Sequence, residues 1–270
     1  MLETKEVAQN SWVFQNDFPP GVEVRFDQAL DEMDVGNVAK AEDLLRDVLL
    51  VCPEHIDVWH HLALLLDGGG DAVLAYACTR EAVRLGLDAL PKDFSWLISR
   101  LEWGHLENRP FLRAYHRLGL HQLEHGDARD ALETFARLLA VNPRDNLGVR
   151  YLLTECWLAL EDWESVLNLS LRFQNDFAPD IEFAKVIALL GVGDEVGALE
   201  SLKQAVHSHP KVVRELLKTR HVRPKAAVAG AITLGGDDEA FSYWERNKAH
   251  WAKGTRAYEL LQEVVGRKTS

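Results

Sequence analysis

Residues 111–144 read FLRAYHRLGLHQLEHGDARDALETFARLLAVNPR. Apolar side chains recur at helical spacing on both sides of Gly126-Asp127, as in Leu132, Phe135, Leu138 and Leu139. The stretch predicts two amphipathic helices joined by a tight turn. Small residues hold fixed places in it, Gly119, Gly126 and Ala131, and Pro143 closes it. The same spacing occurs upstream at Ala29, Gly36 and Ala41, and returns 34 residues later at Ala63, Gly70 and Ala75. A fixed period of 34 residues is that of a helix–turn–helix repeat array. The expected fold is therefore all-α, a right-handed superhelical solenoid stabilised by neighbour-to-neighbour stacking.

The turns mark out the rest of the chain. Gly36-Asn37, Gly70-Asp71, Gly193-Asp194 and Gly236-Asp237 repeat the chemistry of Gly126-Asp127. Glycine ends one helix in the left-handed conformation, and the Asp or Asn behind it is placed to cap the next. In the fourth unit Glu161-Asp162 stands where the turn glycine is expected. The expected organisation is one continuous domain: an N-terminal helix or cap (1–21), repeats one and two (22–89), an inserted short helix (90–110), repeats three to five (111–212) and a C-terminal repeat and cap (213–270). Almost nothing reads as strand. Phe14-Gln15-Asn16-Asp17-Phe18 recurs as Phe173-Gln174-Asn175-Asp176-Phe177. The later copy falls at the end of a second helix, and by analogy the first predicts a lone capping helix before residue 18.

This register resembles the tetratricopeptide repeat. Unit two supplies Trp59, Leu62, Ala63, Gly70, Ala75 and Ala82; unit three supplies Tyr115, Leu118, Gly119, Gly126, Ala131, Phe135 and Pro143. The small residues lie where the two helices of a repeat cross and their axes come close. The C-terminal third also resembles the suppressor-of-tumorigenicity-seven family, through Pro210, Leu216-Leu217, Gly236-Asp237, Glu239-Ala240, Tyr243 and His250-Trp251.

The tetratricopeptide resemblance implies a protein-interaction scaffold whose first helices line a concave groove. Carried over by position, the groove residues are Asp57, His60, Arg113, His116, Arg150, Thr154, Trp157 and Phe183. A groove with Arg, Trp and Phe suits a peptide or helix bearing an acidic group and an apolar anchor. His60 and Leu64, or His116 and Leu120, replace the Lys and Asn with which related repeats clamp chaperone tails, so that binding mode is not expected.

Composition narrows the alternatives. A net charge of −12 over 270 residues argues against nucleic-acid binding, which needs clustered cations. One basic run stands apart, Lys211, Arg214, Lys218, Arg220, Arg223 and Lys225, and could dock an acidic partner. No apolar run approaches the ~20 residues of a membrane helix, and no membrane partner is expected. Met1–Asn10 has no apolar signal segment, and Cys52, Cys78 and Cys156 read as separate buried thiols; both favour the cytoplasm. Self-assembly through Trp96, Trp103, Trp244 and Trp251 is the alternative function.

Enzymatic readings are weaker. His121-Gln122-Leu123-Glu124-His125 fits H-x-x-E-H and would support a metal-dependent hydrolase, but it ends the first helix of the clearest repeat, at places expected to face solvent, without a third ligand. Gly68-Gly69-Gly70-Asp71 lacks the Lys-Ser/Thr of a phosphate loop. The chain is expected to be no enzyme and to hold no metal or cofactor.

Overall fold

The computed structural model describes residues 2–176, 178–225 and 232–266. The chain divides into two compact units, Met1–Leu153 and Thr154–Ser270.

In the first unit an antiparallel hairpin, β1 (Glu3–Ala8) and β2 (Ser11–Gln15), precedes three pairs of helices. α1 (Val22–Asp34) packs on α2 (Val38–Val51), α3 (Ile56–Gly68) on α4 (Ala72–Asp88), and α5 (Arg109–Glu124) on α6 (Ala128–Val141). Each later pair stacks on the one before through α2 with α3 and α4 with α5. α7 (Val149–Ala159) contains the division between units. The second unit holds α8 (Trp163–Arg172), α9 (Pro179–Gly191), α10 (Glu195–Ser208), α11 (Pro210–Leu216), α12 (Asp237–Asn247) and α13 (Arg256–Gly266). Its core gathers Phe183, Leu202, Ala205, Tyr243, Trp251 and Leu261. That of the first two repeats gathers Phe26, Leu45, Val58, Leu62 and Cys78.

The small residues do what the period requires. A Cβ on Gly119 would stand 2.5 Å from the Phe135 ring, so α5 and α6 cross where only hydrogen fits. The turn glycine Gly126 takes φ 84°, and in the fourth repeat Glu161 adopts that left-handed conformation itself, with φ 56°. The expected caps form at Asp71, Asp162 and Asp194, whose side chains accept from the amides of Leu74, Ser165 and Gly197. Asn37 and Asp127 make no such bond.

Two expectations are corrected. Residues before 18 form the β1–β2 hairpin and not a helix. Thr4, Val7, Trp12, Val13 and Phe14 are β-branched or aromatic, and Asn10 (φ 59°) turns the chain. Phe14 is buried in β2 against Phe111, whereas Phe173 follows α8, so the shared pentapeptide carries no shared structure; Phe177 lies outside the described residues. The insert is not a helix either, apart from a 3-10 turn at Leu106–Asn108. Its backbone bonds elsewhere: Arg100 N–H donates to Asn10 O (2.7 Å), Trp12 N–H to Arg100 O (2.9 Å) and Leu101 N–H to Val141 O (3.0 Å). These long-range bonds satisfy groups that a helix would have paired locally.

Candidate functional site

The first helices α3 and α5 pack side by side in the first unit and carry four of the expected groove residues. The structure joins two of them. Arg113 Nη2 donates to both carboxylate oxygens of Asp57, at 2.8 and 2.7 Å. His61 adds to this network: its Nδ1 donates to the Asp57 carbonyl (2.8 Å) and lies 3.4 Å from the carboxylate. Burial pushes the Asp57 carboxyl up, but the His61 hydrogen bond and the His61 and Arg113 charges outweigh it and hold the pKa well below the usual range. One helical turn further on, Arg117 pairs with Asp67, a second bridge between α5 and α3. Neither Arg117 nor Asp67 stood out in the sequence. Arg117 lies one turn past Arg113 on the same helix, and that spacing was the available signal.

His60 lies beside these bridges, whereas His116 packs on Phe135 of α6, ring centroids 5.9 Å apart. Burial lowers the His60 pKa to about 3, aided by His61, Arg113 and Arg117, and lowers that of His116 to about 4. His60 Nδ1, His116 Nε2, Arg113 Nε and Arg117 Nε are buried without a hydrogen-bond partner among the described residues. Leu64, on α3 as well, is 38% exposed.

The other expected groove residues serve the fold. Arg150 Nη1 donates to Asp145 (2.6 Å) and Nη2 to the Tyr151 hydroxyl (2.5 Å); Asp145 also accepts from the amides of Val149 and Arg150 at the start of α7. Thr154 is buried, and Trp157 packs against the second unit's core. Phe183 is fully buried, with Tyr243 at 5.3 Å and Trp251 at 5.5 Å. It is a core residue and not a surface anchor, because α12 and the segment after it cover the face that the repeat register left open.

The basic run is largely neutralised. Lys218 pairs with the buried Glu215, Lys211 lies 3.6 Å from Asp237, and Arg223 binds Glu245 at 2.5 Å. Only Arg214, Arg220 and Lys225 are exposed with no ion pair recorded among the described residues.

The H-x-x-E-H residues diverge. His121 is buried, 3.3 Å from Thr79 Oγ1, while His125 is exposed, so the solvent-facing pair expected there is corrected. The inward turn of α5 toward α4 is the cause. Among the described residues no three His, Cys, Asp or Glu side chains are grouped to hold a metal. The four aromatics considered for self-assembly all pack within their own unit: Trp251 is buried, Trp244 stacks on His221 at 3.6 Å, Trp96 on Tyr115 at 5.2 Å, and Arg109 lies 5.0 Å from the Trp103 ring. Cys52 and Cys156 are buried and free, their thiols pushed up by burial to about 11 and 12. No helix among the described residues is long and apolar enough to cross a membrane.

Paired helices stacked at a 34-residue register, with glycine turns and small residues at the crossings, define a tetratricopeptide-type repeat protein. Solved structures agree. A tetratricopeptide repeat protein from Parabacteroides merdae aligns at TM-score 0.54 and 13% identity, over 91% of this chain and 79% of that one. MamA aligns at 0.53 and 14%, over 74% and 98%. YrrB, described as a tetratricopeptide-repeat protein with an unusual peptide-binding site, aligns at 0.52 and 13%, over 69% and 85%. No curated protein matches the sequence significantly. The profile of the Tcf25 family, described as transcriptional repressor TCF25, matches residues 22–269. The chain belongs to the Tcf25 family. That match runs through the C-terminal third, where the resemblance to the suppressor-of-tumorigenicity-seven family is not supported.

Proposed function

We propose that this chain is a non-catalytic protein-interaction scaffold, and that the α3–α5 face of its first unit receives a peptide or helix of the partner. The observation that carries the reading is the side-by-side packing of the first helices α3 and α5, which present the one-third exposed Arg113 and the 38% exposed Leu64. A peptide with an acidic side chain and an apolar anchor matches those two groups. YrrB, of the same fold, is described by a peptide-binding site.

The family description adds a setting. A transcriptional repressor acts in the nucleus, and a nuclear setting replaces the cytoplasm expected from the sequence. With a net charge of −12, repression proceeds through protein contacts and not through DNA phosphates.

The test is affinity capture from nuclear and cytoplasmic extracts, read by mass spectrometry. Wild type is compared with Asp57→Arg/Arg113→Asp, which reverses the pair while keeping opposite charges across α3 and α5. Nuclear partners lost with the variant support the reading. An unchanged set of partners removes the α3–α5 face as the working surface.

A further inference from the structure

The β1–β2 hairpin has one covered edge and one bare edge. In an antiparallel pair, successive residues turn their N–H and C=O alternately toward the neighbouring strand and away from it. On β2 the outward groups belong to Trp12 and Phe14. Trp12 N–H donates to Arg100 O (2.9 Å), Asn108 Nδ2 donates to Trp12 O (3.0 Å), and Phe14 N–H donates to Asn108 Oδ1 (3.1 Å). The ladder sets Thr4 opposite Phe14 and Glu6 opposite Trp12, so the outward groups of β1 are those of Thr4 and Glu6. Among the described residues no backbone group outside the hairpin meets either of them. Five of the six residues of β1 are exposed; Thr4 is the exception, its Oγ1 donating to Ala89 O (2.8 Å).

A bare strand edge is a template for another strand. The strand that fits must oppose outward residues with outward residues. For a second copy of β1 running antiparallel, this requires a pairing centred on a residue and not between two. Like charges directly opposite are destabilising. Centring on Glu3, Lys5 or Glu6 sets that residue against its own copy, and the last two centres also run into the bulge between Glu6 and Ala8. Centring on Thr4 avoids both faults. It sets Glu3 against Lys5 on either side of the axis, Thr4 against Thr4 and Leu2 against Glu6, all before the bulge. Opposite charges and paired threonines are favourable neighbours across strands.

We propose that β1 pairs antiparallel with β1 of a second copy of this chain, centred on Thr4, so that the two hairpins form one four-stranded sheet. A two-stranded hairpin is marginal by itself, and added strands stabilise it. The pairing uses neither Asp57 nor Arg113, nor any tryptophan, and stands or falls separately from the reading of the α3–α5 face.

Sedimentation equilibrium of the full chain tests the pairing. A monomer–dimer equilibrium is expected with a dissociation constant on the order of 0.1 mM, weak because two short strands bury little surface. Lys5→Glu sets carboxylates opposite each other on both sides of the axis and should weaken the dimer about tenfold or more. Glu3→Lys/Lys5→Glu restores opposite charges and should return it to within about threefold of wild type. Glu3 and Lys5 are exposed, so both variants keep the fold, checked by an unchanged thermal transition. Amide exchange read by NMR reports the register: the Thr4 and Glu6 amides should slow as concentration rises, while that of Lys5, which already faces β2, should not change. A chain that stays monomeric leaves the edge to a strand of another protein and overturns the proposal. So does a dimer indifferent to Lys5→Glu, one that the double reversal does not restore, or one that forms with the Thr4 and Glu6 amides unprotected.

Discussion

Arg113→Ala should destabilise the first unit by about 1–3 kcal/mol. The Asp57 and Arg113 side chains are 14% and 33% exposed, between the surface pairs worth about 0–1 kcal/mol and the buried ones that cost about 3–5 when broken. His61 remains beside Asp57 in the variant, which keeps the loss below the buried limit. Asp57 also sits in the first turn of α3, where a carboxylate is favoured by the helix dipole, so Asp57→Ala carries an extra few tenths of a kcal/mol. A double-mutant cycle of Asp57→Ala, Arg113→Ala and the pair, followed by urea unfolding and far-UV circular dichroism, should give a coupling of about 1–2 kcal/mol. Raising the salt from low to high should leave most of it, because the pair is largely withdrawn from solvent. Additivity of the two single variants within about 0.5 kcal/mol would refute the view that this contact ties α3 to α5. It would also return Arg113 to the surface as a free ligand-binding cation.

Gly119→Ala should destabilise despite its better helix propensity. The new methyl would meet the Phe135 ring at 2.5 Å, and overpacking of ~1–3 kcal/mol outweighs a propensity gain of at most about 1; a higher melting temperature for the variant would contradict the close crossing. Acid should weaken the fold through His55, His60 and His116, whose folded pKa values of about 4, 3 and 4 lie below the ordinary 6.5. The unfolded chain then binds more protons than the folded one, so stability falls as pH drops from 6.5 toward 4, by about 3 kcal/mol for a shift of this size at one site. Urea midpoints that do not move across that window would sink the assignment. Phe183→Ala should cost about 3–5 kcal/mol, as expected of a fully buried ring, whereas a surface anchor would leave the denaturation midpoint in place. Cys156, buried with its thiol raised to about 12, should stay inert to a thiol reagent at neutral pH until the chain unfolds; prompt labelling of native protein at that position would count against its burial.

What the sequence could and could not announce follows from how far each contact reaches. The Gly119–Phe135 crossing and the Gly126 turn lie within one repeat, so periodicity alone locates them. The β1–β2 hairpin does not announce itself, because β2 is secured by distant partners: Phe14 by Phe111, and its N-terminal end by Arg100. Register likewise places Asp57, Arg113, Phe183 and Tyr115 on helix faces but is silent on what each face meets. Asp57 meets Arg113 from the next repeat, and Phe183 meets Tyr243 and Trp251 from beyond the last regular one. The contrast is sharpest where register is identical and occupancy is not. Trp59 and Tyr115 hold one position in successive repeats, yet Tyr115 lies under Trp96 while Trp59 faces a groove. The difference originates in residues 90–110, which interrupt the period between the second and third repeats. An interruption in a repeat array is therefore informative about its surfaces: here it covers Tyr115, whose counterpart Trp59 in the preceding repeat lines an open groove.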